Sequence, residues 1–242
     1  MDAQPLTIGL LGGMSWESTV PYYQVINRTV ASRLGGLHSA RLVLYSLDFQ
    51  PVEAMQSASD WDRAGELLGD AGRCLRNAGA DFLVMCTNTM HRVAPAVEAG
   101  AGIPVLHIAD ATADAIRGAG IGRVGLLGTR FTMEQDFYRG RLAERHGLDV
   151  LVPEETERRE VHRVIYDELC HGRVEAGSRD RLRRVISRLA DRGAEGIILG
   201  CTELGLLLGL ADSDVPLFDT THIHAEAAAL RALGQPEETD HE

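Results

Sequence analysis

Short apolar runs rich in Val, Ile and Leu recur along the chain at 6–11, 41–47, 82–86, 104–108, 123–127, 149–152, 196–200 and 215–218. Each is bounded by Gly, Pro or polar residues, and each is continuous rather than alternating, the pattern of a strand covered on both faces. Helical spacing of apolar positions fills the gaps, over about 16–33, 60–78, 89–99, 109–118, 131–146, 154–171, 178–192 and 222–232. Strand and helix in alternation predict parallel sheets with crossover helices, an α/β fold. Ligands of open parallel sheets bind beyond the carboxyl ends of the strands. The unusual polar residues of this chain fall there: Gly12-Gly13-Met14-Ser15, Thr87-Asn88-Thr89, Thr129 and Cys201-Thr202-Glu203.

The pattern also repeats. The segment Gly79–Thr89 returns as Gly193–Glu203, Ile8–Gly13 as Val124–Thr129, and Ile103–Leu106 as Val215–Phe218. Solenoid units run to about 20 to 50 residues, and this period is far longer, so the duplication predicts two pseudo-symmetric α/β halves. The halves divide as 1–102 plus 214–242 and 103–213, and the polar tail Glu237–Glu242 is expected to fray. Under the repeat, Thr87 rather than Cys86 corresponds to Cys201. Neighbouring positions on a strand point to opposite faces, so one of Cys86 and Thr87 looks away from a site at the strand end, and Thr87 is preferred.

Composition then removes whole classes of function. The net charge of −11 argues against nucleic acid or an anionic membrane surface as a partner. All 24 cationic side chains are arginine. Without a lysine there is no Schiff base for pyridoxal phosphate and no phosphate-cradling P-loop lysine. Cys74, Cys86, Cys170 and Cys201 lack C-x-x-C spacing, and no apolar signal or spanning segment is evident, so a reduced, cytoplasmic protein is expected. His91, His222 and His224 stand at no established zinc spacing and read as capping or surface residues; no metal is expected.

Cys201 ends an apolar strand and precedes a helix start, where the helix dipole is expected to lower a thiol pKa toward neutrality and make it an acid or base. Thr87, Asn88 and Thr89 combine helix capping with the capacity to bind a carboxylate. Gly12–Ser15 lacks the G-x-G-x-x-G spacing of a dinucleotide site and suits a tight turn around a small anion.

Over nearly its whole length the chain resembles the aspartate/glutamate racemase superfamily of cofactor-independent amino-acid racemases. The resemblance lies in I-G-L-L-G-G-M-S-W at 8–16, C-T-N-T-M-H at 86–91 and G-C-T-E-L-G at 200–205. Segments 35–40, 107–112 and 128–138 look closest to the subgroup of L-aspartate/glutamate-specific or broad-specificity racemases. What the resemblance implies is an active site between two domains, usually in a homodimer, with no cofactor and one catalytic group on each face of the substrate Cα. Those groups are Cys201 and Thr87, with Cys86 as the alternative to Thr87. Substrate binding falls to Met14, Ser15, Gln56, Asn88, Thr89, Thr129, Thr202 and Glu203. Symmetric members carry a cysteine where Thr87 stands, so the half-reactions are expected to be unequal. Relatives specific for aspartate place cations near Gln56 and Cys170, which weakens recognition of a side-chain carboxylate here. The expected substrate is aspartate or glutamate. The alternatives are broad specificity for neutral amino acids, an amino-acid-binding protein without turnover, and related hydantoin racemase, maleate isomerase, decarboxylase or cysteine hydrolase chemistry.

Overall fold

The structure is a computed structural model that describes residues 4–235; the tail Glu237–Glu242 lies outside them. All eight apolar runs form strands: β1 (Ile8–Gly12), β2 (Leu42–Ser46), β3 (Phe82–Met85), β4 (Val105–Leu106), β5 (Arg123–Gly128), β6 (Asp149–Leu151), β7 (Gly196–Gly200) and β8 (Leu217–Asp219). They make two four-stranded parallel sheets of identical order, β2-β1-β3-β4 and β6-β5-β7-β8. The internal repeat extends to register. Ile8 sits opposite Phe82 as Val124 sits opposite Gly196, and Leu83 opposite Val105 as Ile197 opposite Leu217.

The chain divides into two compact units, one holding the residues up to His107 and again from His224, the other Ile108–Ile223. These limits correct the sequence-based division at 102/103 and 213/214. The reason is strand pairing: β4 bonds to β3 and so belongs with the first sheet, while β8 bonds to β7 and belongs with the second.

In the first unit the sheet is covered on both faces, as continuous apolar strands require. Leu11, Leu83 and Met85 pack on one face with Leu68, Leu75, Met90 and Val97. Ile8, Leu10, Phe82, Val84 and Cys86 pack on the other, against Tyr22, Ile26 and Val30 of the helix Trp16–Leu34 and a run of alanines, Ala225 to Ala232. In the second unit Val124, Leu126, Ile197 and Ile198 share one core with Ile116, Leu142, Val164, Val185 and Leu189.

Several helical segments depart from expectation. Phe49–Ser57 is an additional helix, capped by Asp48, whose carboxylate accepts from the Gln50 N–H. The predicted helix 131–146 is two pieces, Arg130–Glu134 and Asp136–His146, separated by Gln135 in an extended conformation. The predicted helix 154–171 ends at Asp167, because Glu168 leaves helical geometry and its carboxylate accepts from Ser178 and from Arg163.

Candidate active site

In both sheets the chain leaves the first central strand to one side and returns to the second central strand on the other. That is a topological switch point, where strand ends splay and ligands bind. At the first, the ends of β1 and β3 carry Gly12–Ser15 and Thr87–Thr89; at the second, β5 and β7 carry Thr129 and Cys201–Glu203.

At the end of β1, Gly13 has φ 85°, and a Cβ there would meet the Leu47 carbonyl, so only glycine makes this turn. The Gly13 N–H donates to Thr19 Oγ1 at 2.9 Å, and that hydroxyl donates to the Ser15 carbonyl at 2.8 Å. The Gly13 N–H is therefore taken up within the turn itself. Ser15 is buried at the start of the helix Trp16–Leu34. The Met14 side chain belongs to the core with Leu11 and Met90.

Alternation along β3 places the Cys86 side chain in the core. Phe82, Val84 and Cys86 point into the core against Tyr22 and Ala225, and Cys86 is 0% exposed. Burial pushes its thiol far above the ordinary range. Thr87 is the next residue, beyond the last strand hydrogen bonds, with Asn88 and Thr89 buried beside it. Thr89–Val93 form a 3₁₀ turn before the helix Ala94–Ala101. Gln56, on the helix Phe49–Ser57, is buried with its amide 3.0 Å from the Met90 sulfur.

At the second switch point Cys201 is 7% exposed, at the end of the fully buried strand β7. Its thiol donates to Glu203 Oε2 at 2.9 Å, and the Thr202 hydroxyl donates to the same oxygen at 2.9 Å. Burial first, and then the Glu203 charge, raise the Cys201 pKa well above the ordinary thiol value. This corrects the expectation of a lowered pKa. The helix that follows, Leu204–Leu207, is a single turn whose dipole is small beside a carboxylate at hydrogen-bond distance. What the pair can do is move a proton between a thiol and a carboxylate. Thr129 follows β5 and caps the next helix, accepting from the Thr132 N–H at 3.3 Å. Thr220 holds the end of β7, its hydroxyl donating to the Leu199 carbonyl at 2.8 Å.

The histidines are the residues that sequence reasoning misplaced. His222 is exposed as expected, but His91 and His224 are buried. His224 Nε2 lies 2.9 Å from the Leu106 carbonyl and its Nδ1 2.9 Å from Tyr22 Oη. Burial, then the neighbouring His91, lower the His224 pKa to about 3. His91 Nδ1 lies 2.8 Å from the carbonyl oxygen of Thr87, four residues earlier, and that spacing is the signal that could have placed it. Among the described residues no cluster of His, Cys, Asp and Glu is arranged to hold a metal ion, and no helix is long and apolar enough to cross a membrane.

Comparison with known proteins agrees with this architecture. A candidate Asp/Glu racemase from Yersinia pestis is 56% identical, with a TM-score of 0.88 over 94% of this chain and 99% of that one. An aspartate racemase homologue from Pyrococcus horikoshii is 34% identical, with a TM-score of 0.80 over 93% and 98%. A broad-specificity amino-acid racemase from Bacillus subtilis is 25% identical over 231 residues, 93% of this chain and 98% of the relative. The sequence model of the Asp/Glu/hydantoin racemase family matches residues 11–228. Shared fold, shared length and a family match across nine-tenths of the chain make this protein a member of the Asp/Glu/hydantoin racemase family.

Proposed function

We propose that the protein interconverts L- and D-amino acids by proton transfer at Cα without a cofactor, using Cys201 and Thr87 as the two acid–base groups. The observation that carries this reading is the Cys201–Glu203 contact, a thiol on a carboxylate inside a buried strand end. Glu203 takes the thiol proton, and the thiolate removes the α-proton of the L-enantiomer. Thr87 donates its hydroxyl proton to the other face of the carbanion, and a proton returning from solvent restores the hydroxyl. In the reverse direction Cys201 is the donor. A hydroxyl is a much weaker acid than a thiol, so the Thr87 half-reaction limits turnover of the D-enantiomer. Free enantiomers have equal free energy, so kcat/KM is the same in both directions and the asymmetry resides in kcat.

Aspartate and glutamate are the substrates the family name suggests. A second reading, broad specificity that includes neutral side chains, is favoured by Gln56, a neutral residue whose amide faces the Met90 sulfur. The Bacillus subtilis relative supports it. A chiral chromatographic screen of the common L- and D-amino acids with purified protein and no added coenzyme tests the proposal. Racemisation of aspartate or glutamate alone supports the first reading, and of neutral substrates the second. Binding without racemisation of any amino acid leaves a binding protein and refutes both. We also propose a homodimer. Trp16, Val20 and Tyr23 lie exposed along one face of a helix, an arrangement that association covers. Light scattering at the monomer mass refutes that part.

A further inference from the structure

The turn after β3 presents a hydrogen-bonding problem that a side chain solves. In an α-helix the Thr87 carbonyl would accept from the His91 N–H; here the backbone winds as a 3₁₀ turn and that N–H goes to the Asn88 carbonyl at 3.1 Å. Left without a donor, a carbonyl in this buried segment would cost about 1 to 3 kcal/mol. His91 Nδ1 lies 2.8 Å from the Thr87 carbonyl oxygen and takes the place of the missing backbone bond. A carbonyl only accepts, so Nδ1 carries the proton. The imidazole is 2% exposed and is itself braced. The His107 ring lies 4.6 Å away and the His224 ring 5.6 Å, each near edge-on. His224 is fixed in turn by the Leu106 carbonyl and Tyr22. Residues from the helix Trp16–Leu34, from the end of β4 and from the helix Thr220–Ala232 thus converge behind the one turn that carries Thr87.

We infer that His91 is a positioning residue for racemisation: through its Nδ1–H it fixes the tight turn that aims the Thr87 hydroxyl. The inference rests on the proposed racemase activity, with Thr87 as acid–base group. His91 acts through the position of Thr87, not by exchanging a proton with the substrate.

The geometry makes the test specific. An asparagine amide nitrogen stands the same number of bonds from Cα as Nδ1, whereas a glutamine nitrogen stands one carbon–carbon bond further, about 1.5 Å. His91→Asn therefore keeps the donor in place, His91→Gln displaces it and His91→Leu removes it. Each full-length variant is incubated in D₂O with an equimolar mixture of the common L-amino acids. α-Deuterium is read for each by mass spectrometry, and kcat and KM for racemisation are then measured on the D-enantiomer of the amino acid that wild type exchanges fastest, the direction in which Thr87 removes the α-proton. His91→Gln and His91→Leu are expected to lower kcat by about tenfold or more with KM changed less than about threefold, since a displacement near 1 Å at a reacting group costs up to about 10²-fold. His91→Asn is expected to retain at least about a third of kcat. ¹⁵N NMR of the wild-type histidines should show His91 in the Nδ1–H form.

Equal kcat across the three variants, or an Asn variant as poor as the Gln variant, overturns the inference and leaves the racemase reading standing. A His91 in the Nε2–H form does the same, even in a variant series confounded by folding. Wild-type protein that exchanges no α-proton overturns the racemase reading and the inference with it.

Discussion

Replacing Glu203 with glutamine should move two properties of Cys201 in opposite directions. The carboxylate sits 2.9 Å from the thiol and, after burial, contributes most to its raised pKa. A like charge at such a distance disfavours the thiolate, so the neutral amide brings the thiol pKa down. At a pH below both values each unit multiplies the thiolate tenfold, while intrinsic nucleophilicity falls by about threefold. Alkylation of Cys201 by iodoacetamide at pH 8 should therefore speed up, by about threefold for each unit of that fall. Glutamine cannot accept the thiol proton, so racemisation should fall by about 10²- to 10⁴-fold. Quenched time courses with peptide mass spectrometry separate Cys201 from the exposed Cys74. Faster alkylation with undiminished racemisation would mean that Glu203 is a bystander. Unchanged alkylation would mean that the carboxylate does not act on the thiol at all.

Cys201→Ala should abolish racemisation with an unaltered circular dichroism spectrum, and retention of more than about a tenth of wild-type activity removes Cys201 from the mechanism. Cys86→Ala should leave kcat within about threefold while lowering stability by about 1 to 2 kcal/mol in urea titration, the effect of a small cavity in the first unit's core. An inactive but stable Cys86→Ala would transfer the second role from Thr87 to Cys86. His224 ties stability to acid. Its folded pKa, near 3, lies below the unfolded value of about 6.5, so between those limits the unfolded chain binds the extra proton and stability falls as pH falls, by about 1.4 kcal/mol per pH unit. Moving from pH 6.5 to 5 should cost wild type about 2 kcal/mol more than His224→Gln, and parallel acid limbs would contradict a buried neutral His224.

The strands were legible because parallel strands covered on both faces are written as continuous apolar runs, and the repeat carried the sheet order and register with it. The helix Phe49–Ser57 escaped because it is only nine residues long. Asp48 and Pro51 in its first turn were the available signals. The domain limits were misplaced, at 102 instead of 107 and at 213 instead of 223, because β4 and β8 are two and three residues long, too short for sequence to say which sheet they join. At the site, alternation along β3 foretold that one of the two neighbours would turn into the core, and Cys86 does. The ionisation of Cys201 was misread, because the sequence announces a helix start but not that Glu203 folds back onto the thiol. The histidines were misread for a related reason: burial of His91 and His224 depends on packing between segments distant in the chain.

The central claim is that two chemically unequal groups, Cys201 and Thr87, serve the two faces of one Cα. Initial α-deuterium incorporation in D₂O, measured with each enantiomer at saturation and with no added cofactor, tests it most directly. The account predicts exchange from both, faster from the L-enantiomer, with only the D-enantiomer accelerated in Thr87→Cys. Equal initial rates from the two enantiomers, or no exchange from either, would contradict it.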